Sequence, residues 1–298
     1  MTPAERTGAT GLRTAAARRL AAAGIDSAAG EAAALLAHVL GIAPGRLVLV
    51  DQVDLGDAEA FEALIARRAQ RIPLQHLTGQ AYFAGLELAV GPGVFVPRPE
   101  TELLADWAVR TAATMPDGPL RVADLCAGSG ALALAVAAAV PRAQVVAVER
   151  APAALEYLRR NVAAQPAAVA GRVHVVAGDA LDRSGWPQPC DLIVSNPPYV
   201  PAAAPVSDEV AHDPAEAVFS GDHGMDLITA MVPVIAAALI PGGAVAVEHD
   251  DTAAVRTAAV FAADGRFTDV VSHDDLAGRP RYVTARRNGA GAVQGWNA

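Results

Sequence analysis

The chain has 298 residues, 53% hydrophobic and 18% charged, with a net charge of −9. That length favours two domains. The acidic balance argues against broad, sequence-independent binding of nucleic acid. No lysine is present, which excludes a lysine nucleophile or Schiff base.

The first residues carry arginines among alanines without an apolar core, so no signal peptide is expected. The longest apolar run, Ala131 to Val140, is too short to span a bilayer. The chain therefore reads as soluble and cytoplasmic.

Residues 1 to about 80 read as helical. Leu35, Leu36, Val39 and Leu40 recur at the helical period between Ser27 as N-cap and Gly41 as stop. Asp57 is expected to cap a further helix through Phe61, Leu64 and Ile65. The cluster Arg67, Arg68 and Arg71 reads as a solvated helix face rather than a nucleic-acid patch. From Tyr82 to Val96, apolar residues broken by Gly85, Gly91, Pro92 and Gly93 predict a β-hairpin linker. Pro97 to Glu102 then opens a helix through Leu103, Leu104 and Trp107, with proline and acids suited to a helix start.

After Leu120 short apolar strands alternate with helices. The strands are expected at Arg121–Cys126, Gln144–Glu149, Arg172–Gly178, Asp191–Ser195 and Ala244–His249. Helices are expected at Ala131–Val140, Pro152–Val162 and Met225–Leu239. This rhythm calls for a parallel sheet covered on both faces. Phe267–Ser272 and Arg281–Ala285 are joined too briefly for a crossover helix, so they pair antiparallel. The prediction is an open sheet, parallel except for one reversed strand near its end. Cys126 would then end one strand and Cys190 begin its parallel neighbour, roughly 15–20 Å apart at strand rise. That is too far for a disulfide.

Asp124-Leu125-Cys126-Ala127-Gly128-Ser129-Gly130 follows the first sheet strand and opens a helix, so its backbone amides can approach a ligand closely. Glu149 ends the second strand, placed to accept from both hydroxyls of a ribose. Asp179, followed by Ala180, ends the third, near an adenine edge. A nucleoside site follows, at the carboxyl ends of the strands. Its ligand is NAD(H) or S-adenosylmethionine. Cys126 and Ala131 depart from the G-x-G-x-x-G spacing that seats a pyrophosphate, which favours a ligand without phosphate.

The fourth strand ends in Ser195-Asn196-Pro197-Pro198-Tyr199-Val200. Neither proline can donate to a sheet ladder, and Asn196 is held extended by the proline after it. The Asn196 side-chain oxygen and the Pro197 carbonyl can each accept one N–H of a planar amino or amide group. They would hold its nitrogen towards a sulfonium methyl, by positioning and electrostatics. Tyr199 can cover the planar group. No strong base is required, and no second ligand pair near His249 has metal-site spacing, so no metal is expected.

These residues resemble the protein-(glutamine-N5) methyltransferases of class I peptide chain release factors, the HemK/PrmC family. The likeness runs through Pro73–Gly79, Val96–Glu102, Asp124–Gly130, Ile193–Tyr199 and His212–Pro214. Asn-Pro-Pro-Tyr alone is shared with adenine-N6 methyltransferases of nucleic acids. The Pro-Arg-Pro-Glu-Thr-Glu segment after a helical domain is more specific. The resemblance implies a Rossmann-like class I methyltransferase sheet over 100–288, with a small N-terminal all-α substrate-recognition domain over 1–80. A β-hairpin linker over 81–99 would join them, and 289–298 would form a flexible tail.

The resemblance further implies S-adenosyl-L-methionine against Asp124, Cys126, Ala127, Gly128, Ser129, Gly130, Glu149, Asp179, Ala180 and Asn196. The glutamine of a Gly-Gly-Gln motif would enter at Asn196, Pro197, Pro198 and Tyr199. Of these, Asn196, Pro197 and Tyr199 would be catalytic. Class I release factors are the expected partners, with no membrane and no stable nucleic acid. Cys126 stands where the family usually has glycine, Ala180 where some members carry an aromatic residue, and His212-Asp213-Pro214 matches the family's Glu-Pro loosely. Two other readings remain: an adenine-N6 methyltransferase of DNA or RNA, and a protein that binds S-adenosylmethionine without turnover.

Overall fold

The computed structural model describes residues 6–186 and 189–289. Nearly all of the expected tail thus lies outside the described residues. The chain divides into two compact units. One holds the residues through Gln80 together with Val206–His212; the other holds Ala81–Pro205 and the residues from Asp213 onward.

In the first unit, helices α1 (Ala9–Ala22), α2 (Ala28–Val39), α3 (Leu55–Arg68) and α4 (Leu74–Thr78) are joined by two short strands, β1 (Arg6–Gly8) and β2 (Gln52–Asp54). They enclose Leu20, Leu35, Leu36, Phe61 and Ile65, all fully buried. The unit is therefore not all-α: β1 pairs antiparallel with β2, Arg6 opposite Asp54. Three-residue strands are too short to show an alternating pattern, which is why the sequence hides them. Asp54 rather than Asp57 occupies the N-cap of α3, with Asp57 in the first turn. Ser27 does precede α2, but its hydroxyl donates to Glu31 Oε1 at 2.7 Å instead of capping the backbone.

The expected solvated arginine face is also corrected. Arg67 is exposed, but Arg68 is only 4% exposed and pairs with Glu31 and, at 3.1 Å, with Glu209. Arg71 pairs with Glu209 at 2.7 Å and donates to the carbonyls of Ala23 and Gly24. Glu209 arrives from a distant stretch of chain, so spacing within α3 could not reveal the pairing.

A hairpin of β3 (Gln80–Phe83) and β4 (Leu86–Ala89), turned at Ala84-Gly85, begins at the last residue before the second unit and runs into it. It ends at Ala89, short of the predicted Val96, because Pro92 and Pro97 cannot donate to a ladder. There follow α5 (Thr101–Thr114), β5 (Leu120–Leu125), α6 (Ala131–Ala139), β6 (Ala143–Glu149), α7 (Pro152–Ala163), α8 (Ala167–Ala170) and β7 (Val173–Ala177). The chain continues through β8 (Cys190–Ser195), α9 (Ala215–Val218), α10 (Asp226–Ala238), β9 (Leu239–Glu248), α11 (Ala254–Ala263), β10 (Phe267–Asp274) and β11 (Pro280–Arg287).

The strands form one seven-stranded sheet in the order β10-β11-β9-β8-β5-β6-β7. Strand β11 runs antiparallel to both neighbours, and the pairings from β9 to β7 are parallel. The predicted reversed strand is thus present, one in from the edge. Alternate residues bury on opposite faces: Val122, Val145, Leu192 and Ala244 under α5 and α6, and Ala123, Val146, Ile193 and Val245 under α10 and α11. Cys126 directly follows β5, Cys190 begins the adjacent β8, and the two form no disulfide. From β5 the chain winds out through β6 and β7, then returns to β8 on the other side of β5. The carboxyl ends of β5 and β8 flank this reversal, where open α/β sheets bind ligands.

Candidate active site

The turn after β5 is built by backbone in the left-handed region, at Cys126 (φ 63°), Gly128 (φ 55°) and Gly130 (φ 86°). Cys126 bears the penalty that a side chain meets there, the physical reason glycine is the usual occupant. The two glycines differ in what they serve. A Cβ on Gly130 would lie 2.4 Å from Leu158 Cδ1, so that glycine permits helix packing. A Cβ on Gly128 would meet nothing within 4 Å, so the space before it is open.

Three bonds fix the turn. Ala127 N–H donates to Val148 O (3.0 Å), Gly128 N–H to Glu149 Oε2 (2.8 Å), and the Ser129 carbonyl accepts from Asn161 Nδ2 (2.9 Å). Asn161, on α7, also donates to Ala89 O and accepts from Ala89 N–H (3.0 and 2.7 Å), tying hairpin, helix and turn together. The sequence reading missed this residue. Its signal was a polar side chain in the apolar stripe Ala154, Leu155, Leu158.

Asp124 is fully buried at the end of β5. Its Oδ2 accepts from Ala133 N–H at 2.9 Å, while Oδ1 has no partner among the described residues. Burial pushes this carboxyl up to about 8, with the Glu149 charge adding and the Ala133 N–H opposing. Glu149, 8% exposed, also accepts from the N–H groups of Arg150 and Ala151 (2.8 and 2.7 Å). Asp179 lies just beyond β7. It accepts from Leu181 N–H at 2.9 Å and pairs with Arg150 at 3.6 Å, and Ala180 beside it is buried. All these predicted residues stand at the carboxyl ends of the adjacent strands β5, β6 and β7.

At the end of β8, Ser195 is buried and its hydroxyl donates to Leu125 O at 2.6 Å, which sets the next residue beside the glycine turn. Asn196 Nδ2 donates to Thr101 Oγ1 at 3.2 Å. Among the described residues neither Asn196 Oδ1 nor the Pro197 carbonyl takes a hydrogen bond. Pro197 and Pro198 are buried; Asn196 and Tyr199 are half-buried. Tyr199 donates its hydroxyl to Glu248 Oε1 at 3.0 Å, and burial followed by the Glu248 charge raises its pKa. Thr101 and Glu248 are further residues the sequence reading did not assign. Thr101 lay inside a recognised motif, and Glu248 ends β9 as other acids end their strands.

A sheet with this strand order, carrying a glycine turn and acids at its carboxyl ends, defines a Rossmann-like class I methyltransferase. In keeping with that, residues 107–217 match the methyltransferase small domain family, and residues 12–79 match the PrmC N-terminal domain family. A solved methyltransferase from Pyrococcus furiosus shares the fold, with a TM-score of 0.51 at 18% identity over 75% of this chain and 98% of that one. The chain is 51% identical over 285 residues to the release factor glutamine methyltransferase of Mycolicibacterium smegmatis, spanning 93% of this chain and 98% of that protein. It is 44% identical over 281 residues to that of Streptomyces coelicolor, spanning 91% and 95%. The chain belongs to the release factor glutamine methyltransferase family.

Proposed function

We propose that this enzyme methylates the side-chain amide nitrogen of the glutamine in the Gly-Gly-Gln motif of class I peptide chain release factors. The observation that carries the reading is the state of Asn196. With its Nδ2 engaged by Thr101, its Oδ1 and the neighbouring Pro197 carbonyl are, among the described residues, two unengaged acceptors beside the glycine turn. Each takes one N–H of the incoming carboxamide, so the nitrogen is held by both hydrogens. Such preorganised contacts act without reorganisation during reaction. Pro198 stiffens the tip and Tyr199 covers the amide. The methylated nitrogen is acidic enough to lose a proton without a strong base.

S-adenosyl-L-methionine, when bound, supplies an electrophilic sulfonium methyl. The residues present suit it. Glu149, with three acceptor sites taken by backbone N–H groups, keeps one on Oε2 for a ribose hydroxyl. The open turn at Cys126–Gly130 admits the nucleoside. The Asp179-Ala180 corner offers an adenine-edge acceptor without an aromatic platform. The helical unit grips the release factor, and the hairpin joins it to the methyltransferase domain, in a cytoplasmic protein.

The test offers labelled S-adenosylmethionine to the enzyme with a release factor and with duplex DNA in parallel. Label on the release factor that vanishes when the Gly-Gly-Gln glutamine is replaced is the expected result. Label on DNA would move the acceptor to adenine. Bound cofactor with label on neither would leave a binding protein.

A further inference from the structure

The turn that joins β10 to β11 is held closely by its own side chains. Asp275 stands at its root with a side chain only 3% exposed. Its Oδ1 accepts from the N–H groups of Ala277 (2.9 Å) and Arg279 (3.0 Å), and its Oδ2 from Arg279 Nε (3.2 Å) and the Arg281 guanidinium (3.0 Å). Asp275 N–H donates to Arg279 O at 2.7 Å, and Gly278 N–H donates to Asp275 O at 2.9 Å. Gly278 supplies the left-handed backbone, φ 77°, that closes the turn. The residue this frame presents is Leu276, 95% exposed. At that exposure the side chain adds almost nothing to packing, so the fold gives no reason for a leucine. A lone surface leucine is ordinary, and what distinguishes Leu276 is its place.

The turn overhangs the carboxyl end of the sheet, on the side of the acceptor tip. Tyr282 pairs with Glu248, and His249 N–H donates to Arg281 O at 3.0 Å, so the residues before Arg281 run past the end of β9. Glu248 there accepts the Tyr199 hydroxyl at 3.0 Å. Arg279 lies 3.8 Å from Glu100, the neighbour of the Thr101 whose Oγ1 accepts from Asn196. Strand β11 stands two places from β8, about 10 Å at the usual strand spacing. With the overhang, Leu276 lies on the order of 15 Å from Asn196. A glutamine side chain reaches only about 5 Å from its Cα, so a protein whose glutamine meets Asn196 must lay its neighbouring surface on this rim. A standard interface covers about 800 Å² on each partner, a disc of roughly 16 Å radius. Leu276 falls within it.

We propose that Leu276 is an apolar anchor for the folded surface that surrounds the Gly-Gly-Gln loop of the release factor. This deepens the function proposed above and rests on it. The partner contributes an apolar patch that takes the leucine out of water. Because the turn is already ordered, little conformational entropy is lost on contact. Arg279, the cation of the turn, is paired with Asp275 and Glu100. The turn therefore offers apolar surface rather than a charge for phosphate, and a protein suits it better than a nucleic acid. Leu276 binds substrate in this reading and touches no reacting atom.

The experiment measures kcat and KM for a release factor, with cofactor Kd and melting temperature. It compares the wild type with Leu276→Ser and Leu276→Met. Leu276→Ser should raise KM roughly 10-fold, the lower end for burial of one leucine. Its kcat, cofactor Kd and melting temperature should stay at wild-type values, as for a contact made equally in ground and transition states. Leu276→Met keeps an apolar side chain of similar size and should keep the wild-type KM.

A wild-type KM in Leu276→Ser would overturn the inference and leave the proposed function standing. So would a Leu276→Met variant as impaired as Leu276→Ser, or a KM rise accompanied by lower kcat or weaker cofactor binding. Either would place the effect in the turn itself and not in contact with a partner. A wild-type enzyme that labels no release factor would overturn the function, and this inference with it.

Discussion

Asp213 accepts from Arg98 at 2.5 Å and from Val96 N–H at 3.3 Å, joining two motifs 115 residues apart in sequence. Arg98 also lies over the Phe95 ring, 4.9 Å from its centroid. The Asp213 carboxylate is fully buried and the Arg98 side chain is 26% exposed. Removing the arginine takes the compensating charge from a buried carboxylate, so Arg98→Ala should cost about 3 kcal/mol, the lower end for broken buried pairs. Asp213→Asn keeps the shape and an acceptor for Val96, and should cost less. Denaturant unfolding of the two variants checks the order.

Asn196→Ala removes one of the two acceptors. Turnover should fall roughly 10²- to 10³-fold, as for loss of one preorganised polar contact. Cofactor binding should weaken much less. Single-turnover methyl transfer together with calorimetric cofactor titration separates the two, and near-wild-type turnover would refute the two-acceptor mechanism.

Glu149 should show a double effect. Its carboxylate accepts three backbone N–H groups, which leaves one acceptor site for the ribose assigned to it. Glu149→Ala leaves those donors unpaired, so it should raise the cofactor Kd and also lower the stability of the free enzyme by about 1–3 kcal/mol. Calorimetric binding with a thermal melt of the ligand-free protein tests both. Unchanged binding would refute the ribose assignment.

Asp124 governs a pH dependence of stability. Its folded-state pKa is raised to about 8, so its contribution is fully present below the ordinary carboxylate pKa and is lost as pH rises through about 8. The ligand-free enzyme should therefore melt at a lower temperature at about pH 9 than at about pH 6. Asp124→Asn keeps an acceptor for Ala133 but does not titrate, so it should narrow that difference. Melting curves of both proteins across pH are the measurement.

Much of the molecule was legible in its sequence because the signals are local. Continuous apolar runs in β5, β6 and β8, turn glycines after β5, and acids at the ends of apolar strands are properties of contiguous residues. They announced the sheet, its reversed strand and the glycine turn. The short β1–β2 pair was hidden because three residues carry no periodicity. The hairpin was overextended because Val94 and Val96 are buried without being strands: apolar burial does not require a ladder when prolines interrupt it.

The sequence by itself determined which residue types stand at the strand ends, since the backbone pattern places them there whatever surrounds them. Tertiary structure alone decided how those groups are oriented and charged. Asn196 faces as it does because Thr101, 95 residues earlier, accepts its Nδ2. Arg68 is a buried partner rather than a surface charge because Glu209 reaches it from 141 residues away. Hydrogen-bond direction and burial depend on neighbours distant in the chain, and no local spacing encodes them.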